Sequence, residues 1–114
     1  MDRRRFLRIY ASLPFKFKKV GCVSGEASLS KDLNIQGVRF FSQKFLPVST
    51  NIKVEIRLYK DKRPLRFVAK TLWIKSRSEN LYEIGAKIIQ ISKENVKILS
   101  ELSRLKSGKA SLYF

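Results

Sequence analysis

The chain has 114 residues, 44% of them hydrophobic, which fits one folded domain with one core and is typical of neither a two-domain nor a disordered protein. Its 25 Lys and Arg against 9 Asp and Glu give a formal net charge of +16, which predicts attraction to nucleotides, nucleic acid or acidic surfaces, with a merely solvated basic surface as the alternative. The absence of histidine and the single cysteine exclude a Cys/His metal site and an intramolecular disulfide, and no nucleophile–base pair favours an enzyme.

Residues 1–10 read as a flexible basic arm, and the residues after it alternate apolar with polar side chains as strands do. The first strand is predicted from Leu13 to Val23, and its apolar end predicts that Cys22 is a small core residue. A short second strand is predicted over 26–30, with Ala27 and Leu29 as its weak apolar face. The remaining strands are predicted at 37–42, 52–59, 65–74 and 81–89. Gly85, in the middle of the last, indicates a bulge or a close approach.

The spacing of apolar residues then changes to about three, at Val96, Leu99, Leu102 and Leu105, which predicts an amphipathic helix over 92–106. Ser92 suits its N-cap. The fold predicted is mainly β, a six-stranded antiparallel barrel with a C-terminal α-helix, comprising residues 11–106 and followed by a tail at 107–114. No run reaches the roughly 20 apolar residues that span a bilayer, and charges interrupt any signal peptide, so we expect a cytoplasmic protein without a transmembrane segment.

The arm contains an arginine cluster, Arg3-Arg4-Arg5-Phe6-Leu7-Arg8. Guanidinium groups bind phosphate oxygens in bidentate fashion, fit the O6/N7 edge of guanine and stack on bases. A solvated basic tail is the alternative. Phe6 and Ile9 weigh against that alternative, because apolar residues within the run suggest that the arm docks.

A second motif, Asp32-Leu33-Asn34-Ile35-Gln36-Gly37, lies between two predicted strands. The carboxylate of Asp32 can accept hydrogen bonds from N1 and N2 of guanine, and the amide of Asn34 can donate to a phosphate. Gly37 allows a close backbone approach or a turn. The same residue types are also ordinary turn chemistry, which is the alternative for this motif alone.

In this order and inside a six-stranded barrel, the two motifs resemble the PilZ domain family, whose members bind the bacterial second messenger cyclic di-GMP. The family pattern is R-x-x-x-R, often preceded by another arginine, and then (D/N)-x-S-x-x-G. The first element matches at Arg4 and Arg8 and the second at Asp32 and Gly37. The stretch from Tyr82 to Ile88 also resembles the last core strand of the family, so the resemblance covers roughly residues 3–104.

This resemblance implies roles for single residues. It implies that Arg4 and Arg8 grip guanine edges and phosphates, that Arg3 adds stacking or a phosphate contact, and that Arg5 is a further candidate. It implies that Asp32 holds a guanine edge, beside Gly37. Ligand-binding candidates are therefore Arg3, Arg4, Arg5, Arg8, Asp32, Asn34, Gly37 and Trp73.

Two of these candidates need qualification. Asn34 stands where the family has serine; it is larger but keeps a donor and an acceptor, so weakened or altered binding is expected. Trp73 lies on the strand before Gly85, where some family members carry an aromatic near a guanine. An ordinary core or surface aromatic is the alternative for Trp73.

The leading hypothesis is a non-enzymatic cyclic di-GMP receptor whose arm becomes ordered on binding and signals to a protein partner in motility, attachment or exopolysaccharide control. One alternative is an RNA- or DNA-binding small barrel, favoured by the net charge and by Phe15-Lys16-Phe17-Lys18-Lys19. The other is a PilZ-like protein-interaction module that binds no nucleotide.

Overall fold

The computed structural model describes residues 13–33, 36–57 and 63–101. Within these ranges the strands are β1 (Pro14–Lys19), β2 (Glu26–Leu33), β3 (Gly37–Ser42), β4 (Asn51–Ile56), β5 (Leu65–Ser78) and β6 (Leu81–Gln90). They form a closed barrel in the order β1-β2-β3-β6-β5-β4, and every neighbouring pair is antiparallel. This confirms the mainly β fold and the six-stranded barrel predicted from the alternation.

The interior of the barrel is filled by the apolar members of that alternation. Phe15 and Phe17 on β1 meet Phe40 on β3, with ring centroids 4.7 Å and 4.9 Å from that of Phe40. Aliphatic residues of β4, β5 and β6 complete the core. Because a barrel of this size has a side-chain-filled interior, a ligand has to bind at its outer wall or its mouth.

A helix, α1, follows β6 over residues 93–101 and confirms the predicted C-terminal helix in its described part. The hydroxyl of Ser92 accepts a hydrogen bond from the backbone N–H of Asn95 (3.1 Å), as the predicted N-cap should. Leu99 is fully buried in the barrel core. The remainder of the predicted helix, 102–106, lies outside the described residues.

Two predictions about the end of β1 were wrong. β1 ends at Lys19 because the chain turns there: the N–H of Cys22 donates to the carbonyl of Lys19 (3.0 Å), and Gly21 has a φ of 92°. Cys22 is therefore exposed in the turn and is not a core residue.

A third wrong prediction concerns which residues of β2 face the core. Ala27 and Leu29 lie on the exposed side, whereas the neighbouring Ser30 is buried. The hydroxyl of Ser30 accepts a hydrogen bond from the N–H of Leu13 (3.1 Å), which satisfies a buried backbone donor. A polar residue in this role cannot be recognised from hydrophobic periodicity.

Candidate functional site

The outer wall of the barrel carries one row of residues across four strands. Asp32 on β2 pairs with Arg39 on β3, Arg39 pairs with Gly85 on β6, and Gly85 pairs with Trp73 on β5. Residues far apart in the sequence are thereby brought side by side. The register thus joins two of the residues predicted from the sequence, Asp32 and Trp73, in one row.

A neighbouring row of residues contains a third residue predicted from the sequence, Gly37. Gly37 on β3 pairs with Lys87 on β6, and Lys87 pairs with Lys70 on β5. Two lysines placed directly opposite one another repel, which is unfavourable in a sheet. An anion bound over this row would relieve that repulsion.

The two rows border a cleft with a volume of about 790 Å³. That volume lies within the roughly 300–1,000 Å³ usual for small-molecule sites. The residues that line it are Asp32, Gln36, Gly37, Val38, Arg39, Leu72, Trp73, Gly85, Ala86, Lys87 and Ile88. The cleft therefore combines a carboxylate, two cations and an aromatic ring.

Trp73 reaches the outer wall because of a β-bulge. The register of β5 shifts between Thr71, which pairs with Ala86, and Trp73, which pairs with Gly85. Thr71 is buried, so strict alternation would also have turned Trp73 inward; the extra residue, Leu72, reverses the facing. The ammonium of Lys75 lies 5.3 Å from the centroid of the Trp73 ring, which is a cation–π distance.

Gly85 makes room for that indole. A Cβ at Gly85 would lie 2.6 Å from Cζ2 of Trp73 and nearer still to Nε1 and Cε2. The close approach that the sequence indicated at Gly85 is therefore an approach to Trp73.

Asp32 is 1% exposed, and its carboxylate is bound by the guanidinium of Arg39. Nε of Arg39 donates to Oδ2 (2.7 Å), and Nη2 donates to the same oxygen. Burying a carboxylate is costly unless it is paired and hydrogen-bonded. Arg39 is thus a cation paired with Asp32 in the cleft wall.

A second buried carboxylate, Glu83 on β6, extends this network. Its Oε1 accepts from Nε of Arg77 (2.6 Å), and its Oε2 lies 3.4 Å from the ammonium of Lys31 and 3.5 Å from Nη1 of Arg39. Burial by itself raises the pKa of Glu83, but the hydrogen bond and charge of Arg77, followed by those of Lys31, outweigh burial and leave the pKa below its ordinary value.

Five predicted site residues, Arg3, Arg4, Arg5, Arg8 and Asn34, lie outside the described residues. Conversely, the sequence reasoning missed Arg39, Lys87 and Glu83, which are all on the wall of the barrel. Alternation within β3 and β6 would have placed their side chains outward. The strand register that brings them beside Asp32 and Gly37 was the missing information.

The aromatic residues that favoured a nucleic-acid surface, Phe15 and Phe17, point into the barrel core. Phe15 is 2% exposed and Phe17 is 4% exposed, whereas Lys16 between them is on the outside. These rings are therefore unavailable for stacking on bases, and the lysines alone face the solvent.

The described part of the chain has a second cleft, of about 760 Å³, lined by residues of β1, β2, β4 and β5 and of the segment from Gln90 to Asn95. Lys16, Phe17 and Lys18 of the alternative nucleic-acid surface line it, but none of the described cyclic di-GMP candidates does, so the Asp32–Trp73 cleft is the better candidate for that ligand. Among the described residues, no group of three or more acidic or cysteine side chains could hold a metal ion. None of the helical segments described is long and apolar enough to cross a membrane.

Comparisons with known proteins agree with this architecture. The family model described as PilZ domain matches residues 2–105. No curated protein matches the chain significantly in sequence.

Among solved structures, the Bacillus subtilis inhibitor of motility MotI/DgrA is similar with a TM-score of 0.77 at 15% identity, over 96% of this chain and 53% of that one. The PilZ domain of Escherichia coli YcgR, solved with c-di-GMP, is similar with a TM-score of 0.74 at 18% identity, over 96% and 95%. Borreliella burgdorferi PlzA, also solved with c-di-GMP, gives a TM-score of 0.59 at 12% identity, over 90% and 52%. This chain thus spans about half the length of MotI/DgrA and PlzA, and at these identities the likeness concerns the fold.

Proposed function

The chain belongs to the PilZ domain family, and on that premise we propose that it is a receptor for cyclic di-GMP. The observation that carries the proposal is the row Asp32–Arg39–Gly85–Trp73 at the cleft, joined by the Gly37–Lys87 row beside it. The YcgR and PlzA structures described above both contain this ligand, which supports the choice of nucleotide.

Each group at the cleft matches a part of that nucleotide. A carboxylate such as that of Asp32 accepts from the N1 and N2 hydrogens of guanine, and the indole of Trp73 offers a flat face for stacking a base. Lys87 supplies a positive charge for a phosphate and has Lys70 opposite it. In this role the cleft recognises the nucleotide and breaks none of its covalent bonds, so no nucleophile is required.

The N-terminal arginines complete the proposed site. Arg4 and Arg8 bind guanine edges and phosphates, and Arg3 and Arg5 add further cationic contacts. Asn34 faces the polar atoms of the ligand in place of the family's serine. Ligand binding orders the arm against the barrel and thereby changes the surface offered to a protein partner.

The decisive experiment is a calorimetric titration with cyclic di-GMP, with GMP and cyclic di-AMP as control ligands. Arg4→Ala and Arg8→Ala should each weaken binding by about 1–3 kcal/mol, the scale of a lost bidentate base contact. Lys87→Met should weaken it through the lost phosphate contact. Lys53→Met is the matched control, because Lys53 is also exposed on a strand but does not line the cleft.

Three results would contradict the proposal. Unchanged affinity in both arginine variants would refute the assignment of the arm. Equal effects of Lys87→Met and Lys53→Met would indicate general electrostatic attraction only. A folded protein that releases no heat with cyclic di-GMP would favour a protein-interaction module.

A further inference from the structure

Arg39 joins the two buried carboxylates of the barrel wall. Asp32 and Glu83 are each 1% exposed and lie on β2 and β6, the two strands that flank β3. Arg39 lies on β3 between them, with its side chain 34% exposed. Its Nε is 2.7 Å from Asp32 and its Nη1 is 3.5 Å from Glu83. The guanidinium is thus fixed from both sides.

The two contacts are unequal. Glu83 is already paired with Arg77 and Lys31, so its charge is supported without Arg39. Two N–H groups of Arg39, in contrast, converge on one oxygen of Asp32. Arg39 therefore acts mainly on Asp32, and Glu83 restrains the Nη1 side of the Arg39 guanidinium.

We propose that Arg39 is a positioning residue for guanine recognition: it holds the Asp32 carboxylate in one orientation, and Glu83 steadies Arg39. The inference rests on the proposed function. Only an ionised carboxylate of fixed orientation can accept from both the N1 and the N2 hydrogens of guanine. Loss of Arg39 should consequently reduce the preference for guanine more than it reduces nucleotide binding in general.

A matched ligand pair separates these two effects. Cyclic di-inosine monophosphate has the phosphates and the N1 hydrogen of cyclic di-GMP but lacks the 2-amino group. The ratio of the two Kd values therefore measures the contact between the carboxylate and the 2-amino group. A variant that merely loosens the fold weakens the binding of both ligands by the same factor and leaves the ratio of their Kd values unchanged.

The experiment measures both Kd values for the wild-type chain, Arg39→Met, Arg39→Lys, Glu83→Gln and the control Lys53→Met. A hydrogen bond to a charged group corresponds to a preference of roughly ten- to a hundredfold for cyclic di-GMP in the wild type. Arg39→Met should bring the ratio close to one. Arg39→Lys keeps the charge but not the fork and should retain part of the preference. Glu83→Gln should lose a smaller part, and Lys53→Met should match the wild type.

The outcomes distinguish this inference from the proposed function. A wild-type chain that binds neither ligand contradicts the proposed function and the inference together. A wild-type chain that prefers cyclic di-GMP, with the same ratio in Arg39→Met, overturns the inference alone. If Arg39→Met fails to fold by circular dichroism, Arg39→Lys decides: an undiminished ratio in that variant refutes the positioning role.

Discussion

The contact between Gly85 and Trp73 allows a quantitative prediction. In Gly85→Ala, the new Cβ would begin 2.6 Å from Cζ2 of Trp73, whereas ordinary van der Waals contact starts at 3.4 Å, so the ring has to move by at least about 0.8 Å. Overpacking of this kind costs about 1–3 kcal/mol of the free energy of unfolding.

The assay is urea unfolding followed by far-ultraviolet circular dichroism for the wild type, Gly85→Ala, Trp73→Leu and the double variant. Removing the indole should relieve most of the cost of the alanine, which gives a coupling energy of about 0.5–3 kcal/mol. Trp73 is the only tryptophan, so its fluorescence directly reports its displacement in Gly85→Ala. The reasoning is refuted if the alanine costs the same with and without the indole, or if the fluorescence of Gly85→Ala is that of the wild type.

Three further predictions concern other parts of the molecule. The lowered pKa of Glu83 means that its charge stabilises the fold above about pH 4.5 and that this contribution is lost as pH falls through the folded-state pKa. Glu83→Gln should therefore be less stable than the wild type at pH 7, with a gap that narrows in acid; a gap independent of pH would contradict this. Leu99→Ala should cost about 2–5 kcal/mol in urea unfolding, because Leu99 is fully buried; a cost below 1 kcal/mol would show that α1 does not seal the core. Asn34→Ser should preserve or strengthen cyclic di-GMP binding in calorimetry, and a large loss would show that Asn34 makes contacts that serine cannot.

The positions of the strands were largely predictable because alternation reports which face of a strand is buried. β3 was predicted with its observed bounds, and β6 to within one residue. β1 and β5 were less well predicted: β1 gives way to a turn after Lys19, whereas β5 continues to Ser78. The turn at Gly21 ends β1, whereas pairing with β6 carries β5 on to Ser78, and such pairing is not a property of the local sequence.

Composition and motif order are enough to indicate which groups are available for a polyanionic ligand: a strong positive charge, Asp32, Gly37 and the arginine cluster in family order. Which side chains lie beside these groups depends on strand pairing in the folded barrel. The bulge at Leu72 turned Trp73 onto the outer wall, and the β3–β6 register placed Arg39 beside Gly85. Side-chain facing along one strand is a local property with a period of two, but neighbours across strands depend on pairing between distant segments, which the closed barrel alone fixes.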